Sequence, residues 1–160
     1  MTDMQADSPW YEDVALTALL RHARGTYGRA MRRALDEAGY ADIPANGLYV
    51  IGGLSLGAPD VPLGRLIREL RISKQAAGQL VDTLVLRGYL SRSVDEADRR
   101  RLTVTLTERG RAAAQAQAAA RSRIDAELLA RVGADDIGLT RRTLAVLCDI
   151  GRAEELAAGH

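Results

Sequence analysis

Several special side chains are scarce in this 160-residue chain. It has one cysteine, Cys148, so no intrachain disulfide can form, and a reducing compartment is the default. It has two histidines, His22 and His160, the second of them terminal. No Cys/His metal cluster can be assembled from these, and neither a Gly-rich phosphate loop nor a nucleophile elbow is present. The expectation is therefore no enzyme, no metal and no cofactor. No apolar run approaches the roughly 18 residues that span a bilayer, and no charged-then-apolar leader opens the chain. A soluble, cytoplasmic protein without a membrane partner is expected. Lysine is nearly missing too. Lys74 stands alone among 22 basic residues, a bias that a GC-rich genome suffices to explain.

What is present is a core-forming composition: 47% apolar and 27% charged. That suits one compact domain, or a small domain with helical extensions. The net charge of +1 hides an uneven distribution. Residues 62–111 carry 11 basic and 6 acidic side chains, a balance of +5, and the rest balances at −4. The middle of the chain is a basic module in an acidic frame.

The periodicities divide the chain. Ser8-Pro9 reads as a cap and first helical position, opening a long helix whose apolar residues recur at helical spacing to Gly39. Asp42-Ile43-Pro44 reads as the start of a second helix ending at Gly52-Gly53. "LSLGAPDVP", 54–62, reads as a loop. Leu63, Leu66, Ile67 and Leu70 make one apolar stripe. After the break at "RIS", Ser73 caps a further helix that Gly88 ends. Two short helices, a tight turn and a following strand have the shape of a helix-turn-helix. Residues 90–94 and 102–106 read as two strands joined by Asp95–Arg101, a hairpin wing. Thr107 caps a long Ala-rich helix, Gly133 breaks it, and Asp135 or Asp136 caps a last helix with Ile137, Leu144, Leu147 and Ile150 on one side. The fold expected is mainly α with a small β-hairpin: a winged helix-turn-helix flanked by dimerisation helices. The divisions are 1–40 (N-terminal dimer helix), 41–106 (winged lobe) and 107–160 (C-terminal dimer helices). On a monomer the outer helices leave an apolar stripe, which a second copy covers economically.

Candidate functional residues follow. If Ala77, Leu80, Val81 and Leu84 face inward, then Lys74, Gln75, Gly78, Gln79 and Asp82 face out. Gln bonds adenine with two hydrogen bonds in the major groove, Lys reaches guanine or phosphate, and Gly78 allows close approach. Arg65, Arg68, Arg71 and Ser73 are phosphate candidates that position without reading sequence. At the wing, Arg99, Arg100 and Arg101 suit a narrow minor groove, with Asp98 bracing one of them. Taken one at a time, a polar helix face and a solvated charged loop are the simpler explanations of these residues. It is the combination that favours double-stranded DNA. The competing use of such a fold, a protein-interaction or dimerisation module, calls for apolar anchors rather than an exposed Lys/Gln set.

The stretch 72–111 resembles the MarR family of bacterial transcription regulators. It has a Ser-led recognition helix, then Leu80-Val81-Asp82 and Arg87-Gly88-Tyr89-Leu90. Its wing runs Asp95-Glu96-Ala97-Asp98-Arg99-Arg100, and Leu106-Thr107-Glu108-Arg109-Gly110 closes the pattern. Glu96 stands where family wings often have Pro. The resemblance implies a homodimeric repressor on a pseudo-palindromic operator, with DNA contacts from Ser73, Lys74, Gln75, Gln79 and Asp98–Arg101. It also implies release by a small aromatic ligand or by cysteine oxidation. Trp10, Tyr11, His22, Arg24, Tyr27 and Tyr49 are the expected lining of a ligand pocket. Cys148, in an apolar setting, is expected to pack in the dimer interface rather than sense oxidants.

Overall fold

In a computed structural model, residues 9–57, 61–62, 72–94 and 102–158 are described. Their order is α1 (Leu16–Glu37), α2 (Gly47–Leu56), β1 (Val61–Pro62), α3 (Lys74–Leu86), β2 (Leu90–Val94), β3 (Leu102–Leu106) and α4 (Glu108–Ala157). The chain divides into two compact units, 1–121 and 122–160. The mainly helical winged fold expected from the sequence is the fold found.

In the first unit, α1 starts later than Ser8-Pro9 suggested. Residues 9–14 form turns closed by Glu12 N–H to Pro9 O (2.9 Å) and Val14 N–H to Tyr11 O (3.2 Å). Its cap is Ala15, which has no side chain to hold an orphan amide. Only Met31 and Leu35 of α1 are buried, so tertiary packing supports the C-terminal half. Gly39, at φ +84°, ends the helix as expected, and Tyr40 N–H bonds back to Leu35 O at 2.8 Å.

Asp42-Ile43-Pro44 does not begin the second helix; α2 starts at Gly47. Arg32 donates to the carbonyls of Ile43 (2.8 Å) and Pro44 (3.1 Å), occupying acceptors that a helix start would use. Nor does α2 stop at Gly52-Gly53. It continues to Leu56, packed through Leu48, Val50, Ile51 and Leu54. The loop expected over 54–62 includes a two-residue edge strand: Val61 pairs with Val104, and Pro62 with Thr103. Proline is tolerated there because an edge needs no further N–H. The sheet order is β1-β3-β2, and the β2–β3 hairpin runs from Leu90↔Leu106 to Val94↔Leu102.

The α3 helix forms as its sequence dictates. Ser73 Oγ accepts Ala76 N–H at 3.1 Å, and Ala77, Val81 and Leu84 are buried at helical spacing. Gly88, at φ +75°, turns the chain into β2. Thr107 does the same work at the head of α4. Its Oγ1 accepts Gly110 N–H at 3.0 Å, and its own N–H bonds Tyr89 O at 3.1 Å. Gly110, Ala113, Ala114, Gln117 and Ala120 form the inward face of α4. The core they complete holds Leu35, Ile51, Leu84, Tyr89 and Val104, all fully buried. Each such side chain contributes roughly 1.5–3 kcal/mol by leaving water.

In the second unit the helical path is broken at Gly133 (φ 81°, ψ 169°), where the sequence placed the break. Leu128, Leu129, Val132, Leu139, Leu144, Leu147 and Ile150 are exposed on the single chain. Cys148 is exposed as well.

Candidate nucleic-acid interface

The outward face of α3 carries the expected residues. Ser73, Lys74, Gln75, Gln79 and Asp82 are exposed, opposite the buried Ala77, Val81 and Leu84. Gly78 is half-buried, yet a Cβ there would meet no atom within 4 Å. Internal packing therefore does not require this glycine. Asp82 pairs with Arg92 of β2 at 2.5 Å, tying the helix to the first strand of the hairpin. Thr83 Oγ1 donates to Gln79 O at 2.8 Å, which keeps that hydroxyl on its own helix. A shallow groove of about 330 Å3 runs beside the face, between the Pro44–Asn46 turn and Ala76, Gln79 and Thr83.

Arg65, Arg68 and Arg71 lie outside the described residues, as do Asp98, Arg99, Arg100 and Arg101 at the wing tip. The strands on either side of that tip are described and pair in full register.

One cluster has no counterpart in the sequence reading. The Tyr89 hydroxyl donates to the Asp42 carboxylate, and Arg109 Nη2 donates to that hydroxyl (2.9 Å) and to Asp42 Oδ1 (3.3 Å). The Arg109 guanidinium lies over the Tyr89 ring, 4.5 Å from its centroid, and Tyr40 meets the same ring edge-on at 6.1 Å. Arg87 donates to the Asp42 carbonyl. The phenol hydrogen bond holds the Asp42 carboxyl below its ordinary pKa against the opposing cost of burial, and Arg109 adds to that lowering. Burial, then the carboxylate, push the Tyr89 phenol up. The cluster joins the α1–α2 turn, the α3–β2 junction and the head of α4, and so fixes where α3 sits. Asp42, Tyr89 and Arg109 are 47 and 20 residues apart, so no local spacing announces them.

Among the expected ligand residues, Arg24 meets Tyr49 and Trp10 meets Tyr11. The Arg24 guanidinium lies 4.8 Å from the Tyr49 ring centroid, and Gly28 lets the Tyr49 hydroxyl come close to α1. Tyr27 packs against the core, and His22 is exposed. Trp10 is 76% exposed and meets Tyr11 edge-on at 6.0 Å. A larger hollow, about 630 Å3, lies elsewhere, between the end of α2, β3 and the first four turns of α4. None of Trp10, Tyr11, His22, Arg24, Tyr27 and Tyr49 lines it. Among the described residues no three His, Cys, Asp or Glu gather as a metal site. No described helix is long and apolar enough to cross a membrane.

The sequence pattern of the MarR family matches residues 42–101. No curated protein matches the chain. Among solved structures, Streptococcus pneumoniae FabT in complex with DNA is 19% identical (TM-score 0.72), over 86% of this chain and 95% of that one. A MarR transcriptional regulator from Methanosarcina mazei Go1 is 19% identical (TM-score 0.70), over 86% and 96%. A cysteine-to-serine mutant of MarR from E. coli, complexed with operator DNA, is 22% identical (TM-score 0.66), over 88% and 99%. Residues 42–101 thus match the pattern of the MarR family, and the chain has the winged-helix fold of these solved structures.

Proposed function

We propose that the protein is a DNA-binding transcriptional repressor, acting in the cytoplasm as a homodimer on a pseudo-palindromic operator. One observation carries this reading: Lys74, Gln75 and Gln79 stand exposed on one face of a capped helix whose opposite face is buried. Gln75 and Gln79 read base edges, and Gly78 lets the helix approach closely. Ser73, Lys74, Arg65 and Arg71 hold phosphates. Arg99, Arg100 and Arg101, braced by Asp98, enter the adjacent minor groove. Residues 41–106 are the DNA-binding lobe. Residues 1–40 and 107–160 form the dimer, which covers the exposed leucines of the second unit. The DNA in two of the similar structures supports this reading.

Two variants test it. Gln79→Ala should relax base preference at one or two operator positions, costing about 1–3 kcal/mol there. Replacing Arg100 and Arg101 with Ala should weaken binding on every sequence and flatten its salt dependence. Equal loss on all sequences with Gln79→Ala would remove base reading from α3, and an unchanged salt slope would return the wing to a solvated loop.

A further inference from the structure

Three arginines from three elements close on one turn. Arg32 of α1 donates to the carbonyls of Ile43 and Pro44, and Arg87, the C-cap of α3, donates to the carbonyl of Asp42. Arg109, at the head of α4, donates to the Asp42 carboxylate. The Tyr89 hydroxyl stands between them, donating to that carboxylate and accepting from Arg109. Residues 42–44 are thus held from α1, from the exit of α3 and from α4. The same turn continues through Ala45 and Asn46 into the groove beside Gln79.

Each of these bonds has an ionised partner, so each is strong and directional. The remaining anchorage of α3 is of another kind. It buries Ala77, Val81 and Leu84, and apolar burial has no preferred direction. The Asp82–Arg92 pair ties α3 to β2, not to α1 or α4. Direction matters because the helix is a lever. Gln75 precedes Arg87 by 12 residues, which is about 18 Å along the axis. A tilt of about 10° at the Arg87 end shifts Gln75 by about 3 Å, close to the rise of one base pair, roughly 3.4 Å.

We propose that Asp42, Tyr89 and Arg109 are positioning residues that set the half-site spacing of the operator, by fixing the angle of α3 against α1 and α4. This rests on the regulator reading above, which assigns α1 and the later part of α4 to the dimer. The three residues act through α3 and need no contact with DNA. The Thr107 contacts to the Gly88 and Tyr89 carbonyls remain when a side chain of the cluster is changed, so such a variant loosens the joint without severing it.

The test takes the inverted repeat that the wild-type chain selects from random DNA and adds or removes one base pair between its half-sites. Wild type, Y89F, R109Q and I51V are compared. I51V removes one buried methyl group from α2, outside the turn, and controls for lost stability. Wild type and I51V should lose about tenfold or more in affinity on each altered spacing, and Y89F and R109Q about threefold or less. A second readout needs no DNA. Nitroxides on Q79C and A119C, both exposed positions, report the α3–α4 distance in a C148S chain diluted into unlabelled protein. That distance should be narrowly distributed in wild type and I51V and broadly distributed in Y89F and R109Q. Melting curves establish that each variant is folded. Folded Y89F and R109Q that keep the wild-type spacing preference would overturn the proposal, and so would an unbroadened distance. A wild type that selects no inverted repeat, with the distances broadened in the two variants, would sink the regulator reading while confirming that these residues fix α3.

Discussion

Gly110→Ala sets two known effects against each other at one position. An exposed helical glycine replaced by alanine gains about 1 kcal/mol from propensity. Gly110 is buried, however, and a Cβ built on it overlaps the Tyr89 carbonyl oxygen and stands 3.1 Å from Leu106 Cδ2. The carbonyl is backbone and cannot rotate aside, so α4 and the start of β2 must separate. Overpacking of this kind costs about 1–3 kcal/mol, more where backbone is involved. The separation also strains the N–H and hydroxyl contacts from Thr107 to Tyr89 O, both 3.1 Å, each worth about 1 kcal/mol. The net loss is about 3 kcal/mol. For a chain of this size, that lowers the melting temperature by roughly 10 °C. The assay is thermal unfolding by circular dichroism, at one protein concentration because association shifts the midpoint. Gly78→Ala is the internal control. Nothing lies within 4 Å of its Cβ, so it should melt no lower than wild type. A Gly110→Ala midpoint within 2 °C of wild type would refute the reasoning.

Two further outcomes follow from the structure. The lowered Asp42 pKa means that its contribution to stability is present above the unfolded carboxylate value of about 3.9 and is lost as pH falls through the folded value. Tyr89→Phe should therefore destabilise the protein at pH 7, by under about 1 kcal/mol because Asp42 is 42% exposed, and the gap should close below about pH 4; a gap independent of pH would contradict the assignment. The exposed Leu128, Leu129, Leu144, Leu147 and Ile150 predict a dimer at micromolar concentration in sedimentation, and a monomer would leave these residues without a partner.

The sequence and the structure agree where a residue acts on its own neighbours. Ser73, Gly88, Thr107 and Gly133 all do what their types suggest, because caps and left-handed glycines work within one turn. The alternation over 102–106 gave the wing strand for the same reason. Misreadings arose where a distant side chain intervened. Ser8-Pro9 is a good helix start locally, yet residues 9–14 form turns closed on the Pro9 and Tyr11 carbonyls and α1 begins at Leu16. Asp42-Ile43-Pro44 also looks like a start, but Arg32 takes two of its carbonyls and Tyr89 takes the carboxylate. The two-residue strand at Val61 has no periodicity to reveal it and exists only through β3. In the candidate interface, the exposed face of α3 was legible from spacing. The hollow was not, since Leu54, Leu106, Arg111 and Arg121 meet only in three dimensions.

Selection of bound sequences from a random DNA pool by the full-length protein tests the central claim most directly. The account predicts enrichment of an inverted repeat whose half-sites lie about 10 bp apart, centre to centre. A pool that remains random at low salt, where phosphate contacts alone favour binding, would contradict it.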